Sequence, residues 1–361
     1  MVNEFDDTAM NSYAIYRLPY QHECTCVSQQ GGNPMELLSC AELSDKTGFV
    51  VAPFMPSSVT PVVVIRPDIV EQFDICPCSP PCRHEVRNAD AHLKEKYLID
   101  FANFHAQLVS GEFSKIVLSR CSKMESEEAL SPEDLFMRAC QLYPRMFVAL
   151  VSTPKTGIWL MATPEMLLDG DGITWHTMAL AGTMKLTGEQ LRFDNPIGNK
   201  IAMPSWSDKN VQEQRYVASY ITECLEQFTD DFSEEGPYTV RAADLVHLHS
   251  DFTFRLQDTH HIGDMLQTLH PTPAVCGIPK NKARDFILHN ELAPRSYYSG
   301  FSGPFFPDHH THLYVSLRCM QIKDLEYDLY AGGGLLKEST AESEWEETEA
   351  KLATMRNVLK W

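Results

Sequence analysis

Three charged residues, Glu344, Glu347 and Lys351, are spaced three and then four apart. On a helix that spacing puts them on one face. Such a row is either a solvated face with a Glu-to-Lys ion pair or the wall of a metal and anion site. Just upstream lies Ala331-Gly332-Gly333-Gly334. Glycines let the backbone approach a ligand closely and aim N–H groups at an anion. A glycine turn feeding an acidic helix therefore favours the second reading. Another carboxylate, Glu213, sits in a polar helical stretch over residues 207–227. Carboxylates from two helices suit Mg2+, which takes oxygen ligands, keeps several waters and often uses only one or two protein carboxylates.

Arg318 lies in the apolar run YVSLRCMQI (314–322), read as a strand. An arginine so flanked is either paired internally or aimed into a site, where its planar fork fits a carboxylate. Lys115 opens the run KIVLSR (115–120), and Glu165 sits in ATPEMLL (162–168). By themselves these two read as an exposed lysine at a strand start and an ordinary turn acid.

Periodicity supplies the elements that must position these residues. Leu93, Tyr97, Phe101, Phe104 and Leu108 recur every three or four positions, which predicts a helix over 90–108 ended by Gly111. Ser131-Pro132-Glu133-Asp134 is a helix start, with serine as cap and proline in the first turn. Strands are expected at 61–67, 115–120, 147–152, 157–162, 314–322 and 325–330, and long helices at 207–227 and 340–359. The first 85 residues read as short strands and turns. The order predicts an α+β fold with strands too close together for βαβ crossovers. No G-x-G-x-x-G or G-x4-GK[ST] run occurs, which argues against nucleotide binding.

The 361 residues carry 49 acidic against 30 basic side chains, a formal charge of −19. That balance argues against nucleic acid as a partner, whereas an anionic substrate needs only a few local cations. No run of 18 apolar residues occurs, so no membrane span is expected. Residues 1–10 are acidic and lack signal-peptide features. The eleven scattered cysteines are therefore expected to be reduced thiols in the cytoplasm. Cys76, Cys78, Cys82 and His84 fall in CPCSPPCRH, which lacks a common zinc spacing and reads as a proline-rich connector. The pairs His260–His261 and His309–His310 read as polar loops.

Six ordered segments resemble the chorismate-utilising enzymes. They are KIVLSR, ATPEMLL, ALAGT (179–183), LHPTPAVCGIPK (269–280), YVSLRC (314–319), and AGGGLL (331–336) leading to EWEETEAKLATM (344–355). That family contains isochorismate, salicylate, anthranilate and aminodeoxychorismate synthases. The resemblance implies a single large α+β domain over residues 1–361. Two facing, mainly antiparallel β-sheets would be flanked by helices, with the active site in the cleft between them. Residues 1–85 would supply outer strands, and residues 90–361 the catalytic region.

The resemblance also implies roles. Lys115 matches a general base that activates water for attack at C2 of chorismate. Glu165 matches the general acid for the departing C4 hydroxyl. Glu213 and Glu347 match ligands of a Mg2+ cofactor, with Glu344 holding a metal-bound water. His270, Arg318, Lys351 and the backbone around Gly182, Gly332 and Gly333 match substrate-binding positions, and Ala274 and Tyr298 would line the pocket. A lysine at position 115 points to water rather than ammonia as nucleophile, so no glutamine amidotransferase subunit is expected. The HPTPA form is closest to isochorismate synthase. A salicylate synthase, which also eliminates pyruvate, and an inactive chorismate-binding paralogue are the alternatives. Menaquinone biosynthesis is favoured over siderophore biosynthesis as the consuming route, and a monomer is the default.

Overall fold

The computed structural model describes residues 12–76, 86–185, 206–242 and 245–360. Cys78, Cys82 and His84 lie outside the described residues. Two antiparallel sheets hold the strands. The first runs from edge to edge as β15 (Gly277–Ile278), β8 (Lys115–Ser126), β19 (Glu326–Leu335), β18 (Cys319–Lys323), β10 (Gly157–Thr163), β9 (Phe147–Thr153), β1 (Ser12–Arg17), β2 (Glu23–Gln29) and β6 (Ile69–Asp74). The short β7 (Val86–Asn88) pairs with β8. The second runs as β13 (Phe232–Ala242), β14 (Leu245–Arg255), β12 (Thr174–Lys185), β11 (Met166–Gly170), β17 (Thr311–Val315), β16 (Phe301–Phe305), β4 (Gly48–Ala52), β5 (Val62–Ile65) and β3 (Met35–Leu37). The N-terminal strands thus extend one end of each sheet.

Alternation along the strands builds the core. In β9, Phe147, Ala149 and Val151 face the other sheet, while Val148 and Leu150 face helices. Trp159 and Met161 of β10 do the former, and Leu160 and Ala162 the latter. Both faces are buried, so these strands read as continuous apolar runs. Among the described residues, six helices surround the sheets: α1 (Leu93–Val109), α2 (Pro132–Leu142), α3 (Asp208–Leu225), α4 (Ile262–Leu269), α5 (Lys280–Asn290) and α6 (Ala341–Leu359). Helices α2 and α6 pack on the first sheet, α3 and α4 on the second, and α1 and α5 against the β8 end. Tyr97, Phe101, Phe104 and Leu108 of α1 are buried, as the periodicity requires. Ser131 caps α2 by accepting from the Asp134 N–H at 3.2 Å, and Ser207 and Thr340 cap α3 and α6 in the same way.

Two local expectations are corrected. Residues 314–322 are not one strand: β17 ends at Val315 in the second sheet and β18 begins at Cys319 in the first. The chain crosses between sheets at 316–318, and Arg318 takes φ 45° there. The flanking apolar residues are buried in either sheet, so hydropathy stays continuous while the backbone turns. Gly332, Gly333 and Gly334 are not a turn either. They lie inside β19, opposite Ser119, Leu118 and Val117 of β8. A Cβ on Gly334 would stand 2.1 Å from Glu213 Oε1, and one on Gly332 would stand 2.8 Å from the Tyr298 hydroxyl. Glycine is needed because other side chains cross the strand at van der Waals distance. No helix among the described residues is long and apolar enough to cross a membrane. The nine described cysteines are all free.

Candidate active site

The site lies where β8 and β19 of the first sheet face β12 and β14 of the second. On β8, Ile116 and Leu118 pack into the core beside α1 and α5. Alternation then turns Lys115 and Val117 the other way, towards the cleft. Glu165, Gly182, Glu213, His247, Arg318, Gly332 and Lys351 line a narrow cavity, with Ala274, Val275 and Tyr298 as its apolar wall.

Lys115 is fully buried, and its Nζ lies 3.0 Å from Glu213 Oε1. Glu165 follows Pro164 in the short link between β10 and β11, and its carbonyl accepts from the Val315 N–H at 2.9 Å. Burial pushes its carboxyl up to about 7, against the opposing pull of Lys115, Lys351 and Arg318. An acid poised there is protonated near neutrality and still able to release its proton.

Arg318 is 5% exposed, and burial brings its guanidinium down to about 10, which leaves it charged at neutral pH. Its Nη2 lies 2.7 Å from His247 Nε2. Arginine can only donate, so Nε2 accepts; Nδ1 then carries the ring proton and donates to the Gly182 carbonyl at 3.0 Å. Burial first, then Arg318 and Lys351, hold His247 well below the ordinary imidazole range, so it is neutral. Sequence reasoning missed His247. Its one signal was a histidine at an inward position of an alternating strand. Gly182 sits at a bulge with φ 70°, where a Cβ would press on Asn210 of α3.

Three carboxylates gather around bare backbone. A Cβ on Gly333 would lie 3.1 Å from Glu344 Oε2 and 3.6 Å from Glu347 Oε1, and Gly334 abuts Glu213. Gly333 therefore faces the acids rather than the cavity. Each acid has a lysine partner: Glu213 with Lys115 at 3.0 Å, Glu344 with Lys209 at 2.5 Å, and Glu347 with Lys351 at 2.8 Å. Burial alone would raise Glu213, but Lys115, Lys209 and Lys351 outweigh it and hold the carboxyl low. Burial and Glu347 push Glu344 up, against Lys209. The Glu344 Oε2 atom is buried with no hydrogen-bond partner. An orphaned buried acceptor costs about 1–3 kcal/mol unless something fills the place. Among the described residues no three His, Cys, Asp or Glu side chains already form a ligand set. The orphaned oxygen and the glycine cradle nonetheless fit a hydrated Mg2+, which needs one or two carboxylates directly and reaches others through water.

Lys351 also donates to the Gly332 carbonyl at 2.9 Å, tying α6 to β19. His270 is a correction, because it does not line this cavity. It ends α4, its Nε2 donates to the Pro53 carbonyl at 3.0 Å, and its ring meets Phe301 edge-on. Burial and Lys280 bring it down to about 3, so it is neutral. The following Pro271-Thr272-Pro273 turns the chain, and Ala274 and Val275 face the cleft in its place. A second pair, Glu291 and Arg295, was also missed. Arg295 meets Glu291 through two contacts of 2.6 and 2.7 Å and donates to the Val275 and Val117 carbonyls at 2.6 and 2.8 Å. Glu291 in turn accepts from the Ser119 N–H at 2.6 Å. The pair thus fastens two cavity walls from behind.

Comparison with known proteins gives the family and the fold of the chain. A family model described as chorismate binding enzyme matches residues 71–360. The isochorismate synthase EntC of Escherichia coli is 27% identical over 248 residues, covering 68% of this chain and 62% of that protein. A putative isochorismate synthase MenF of Mycobacterium tuberculosis is 31% identical over 259 residues, covering 69% of this chain and 68% of that protein. The chain thus spans less than two thirds of the length of the first of these relatives. A crystal structure of a putative 2,3-dihydroxybenzoate-specific isochorismate synthase, DhbC, from Bacillus anthracis shares the fold. Its TM-score is 0.80 at 21% identity, over 98% of this chain and 97% of that one. With the family model matching most of its length, the chain belongs to the chorismate-binding enzymes.

Proposed function

We propose that this chain is a magnesium-dependent isochorismate synthase. The observation that carries the reading is a fully buried lysine, Lys115, and a buried acid, Glu165, held at about 7 beside one cavity lined with cations. The substrate, chorismate, is a dicarboxylate. Arg318 and Lys351 hold its carboxylates, and the backbone at Gly182 and Gly332 approaches it closely. Once it has given up its own ammonium proton, Lys115 as the free amine takes a proton from the water that attacks C2. The ring double bonds shift, the C4–O bond breaks, and Glu165 gives its proton to the departing hydroxyl, which leaves as water. One water enters and one leaves, so the reaction is an isomerisation. Glu213 and Glu347 would hold Mg2+, with Glu344 reaching it through water. When bound, the ion would supply positive charge to offset the negative charge of the substrate. The names of the relatives support this reading over an ammonia-using one.

The test is to incubate the protein with chorismate and Mg2+ and identify the product by chromatography. Isochorismate is expected. Salicylate with pyruvate would move the assignment to a salicylate synthase, and no turnover would make the chain a binding paralogue.

A further inference from the structure

Substrate binding and proton transfer leave Lys209 without a role. It lies in the first turn of α3, one turn before Glu213. Its Nζ reaches across to α6 and meets Glu344 Oε1 at 2.5 Å. The contact is not a surface ion pair: the side chains are 20% and 1% exposed. The other Glu344 oxygen, Oε2, is buried without a partner and points to the side of Gly333 that it shares with Glu347 Oε1. A carboxylate is planar, so pinning one oxygen fixes the direction of the other. The bridge also joins the two helices that carry Glu213 and Glu347.

We propose that Lys209 is the positioning residue of the metal site. It pins Glu344 Oε1 so that Oε2 is presented to the waters of a Mg2+ held by Glu213 and Glu347. The proposal rests on the magnesium reading above. Partners that orient metal-binding carboxylates are typically worth about 10–100-fold in metal affinity, and Lys209 should fall in that range.

The experiment is a calorimetric titration of the full chain with Mg2+ at pH 8, without substrate. Lys209→Met should weaken binding about tenfold or more. Lys209→Arg keeps a donor and a charge and should recover most of the affinity. Circular dichroism of the metal-free variants checks that they fold. If Lys209→Met does not fold, Lys209→Gln must still bind Mg2+ more weakly than wild type. Unchanged or tighter Mg2+ binding by a folded variant overturns the proposal, since Lys209 would then be only a competitor for the carboxylates. If wild type itself takes up no Mg2+, the magnesium reading fails and the proposal with it.

Discussion

Two clusters of buried charge touch β8, and they differ in how complete they are. Behind the cleft wall, Glu291 and Arg295 satisfy each other and three backbone groups, those of Val117, Ser119 and Val275. In the cleft, Glu344 Oε2 has no partner, Lys115 Nζ has an ion-pair contact but no hydrogen bond, and Glu165 is held as a neutral-pH acid. A satisfied buried pair gives shape. An unsatisfied one is costly unless a ligand completes it. On the proposed function, the first cluster is scaffold and the second is the candidate site.

Substitutions can break that contrast. The largest effect is expected from Lys115→Ala, which should cut kcat about 10²–10⁴-fold while chorismate binding by fluorescence titration changes little. Near-normal turnover would remove Lys115 as the base. Arg295→Met should act on stability instead. It strands the Glu291 carboxylate in the interior and should cost about 3–5 kcal/mol in urea unfolding. If it costs no more than Lys115→Met, the distinction between the two clusters fails.

Glu165 gives a pH test with a definite sign. Its folded value of about 7 lies above the unfolded value near 4.5, so the ionised form destabilises the fold. Glu165→Gln should therefore raise the thermal midpoint at pH 8, with the gain shrinking as pH falls from 7 to 4.5 and absent below. In wild type the same group should produce an alkaline limb of kcat/KM near pH 7. An equal midpoint shift at pH 4 and pH 8 would show that burial of the charge is not the cause. The smallest effect should come from His247→Phe. It removes one acceptor of Arg318, and a charge-assisted hydrogen bond of about 1.5 kcal/mol or more corresponds to a roughly tenfold rise in KM. A fall in kcat at constant KM would place His247 in the chemistry.

Much of the architecture was legible in the sequence. The α1 periodicity, the Ser131-Pro132 start and the strand pair at 147–162 all depend on local pattern, and local pattern is what a sequence displays. The site was legible only as a set of ordered segments. Glu165 looks like a turn acid because nothing nearby shows that β17 and Lys351 close over it. Arg318 was read within a strand because a crossing between two buried sheets leaves no polar mark. His270 was placed on the substrate because its motif does not say which way the ring points after α4 ends. His247, Lys209 and the Glu291–Arg295 pair gain meaning only from partners 71, 135 and up to 178 positions away. Such pairing is tertiary information.

The most direct test of the account is the origin of the oxygen at C2. Chorismate turned over in ¹⁸O-labelled water with Mg2+ should give isochorismate carrying one solvent oxygen, at C2, by mass spectrometry. Unlabelled isochorismate would mean that the hydroxyl moves within the substrate, and would contradict the role of Lys115 as the group that activates water.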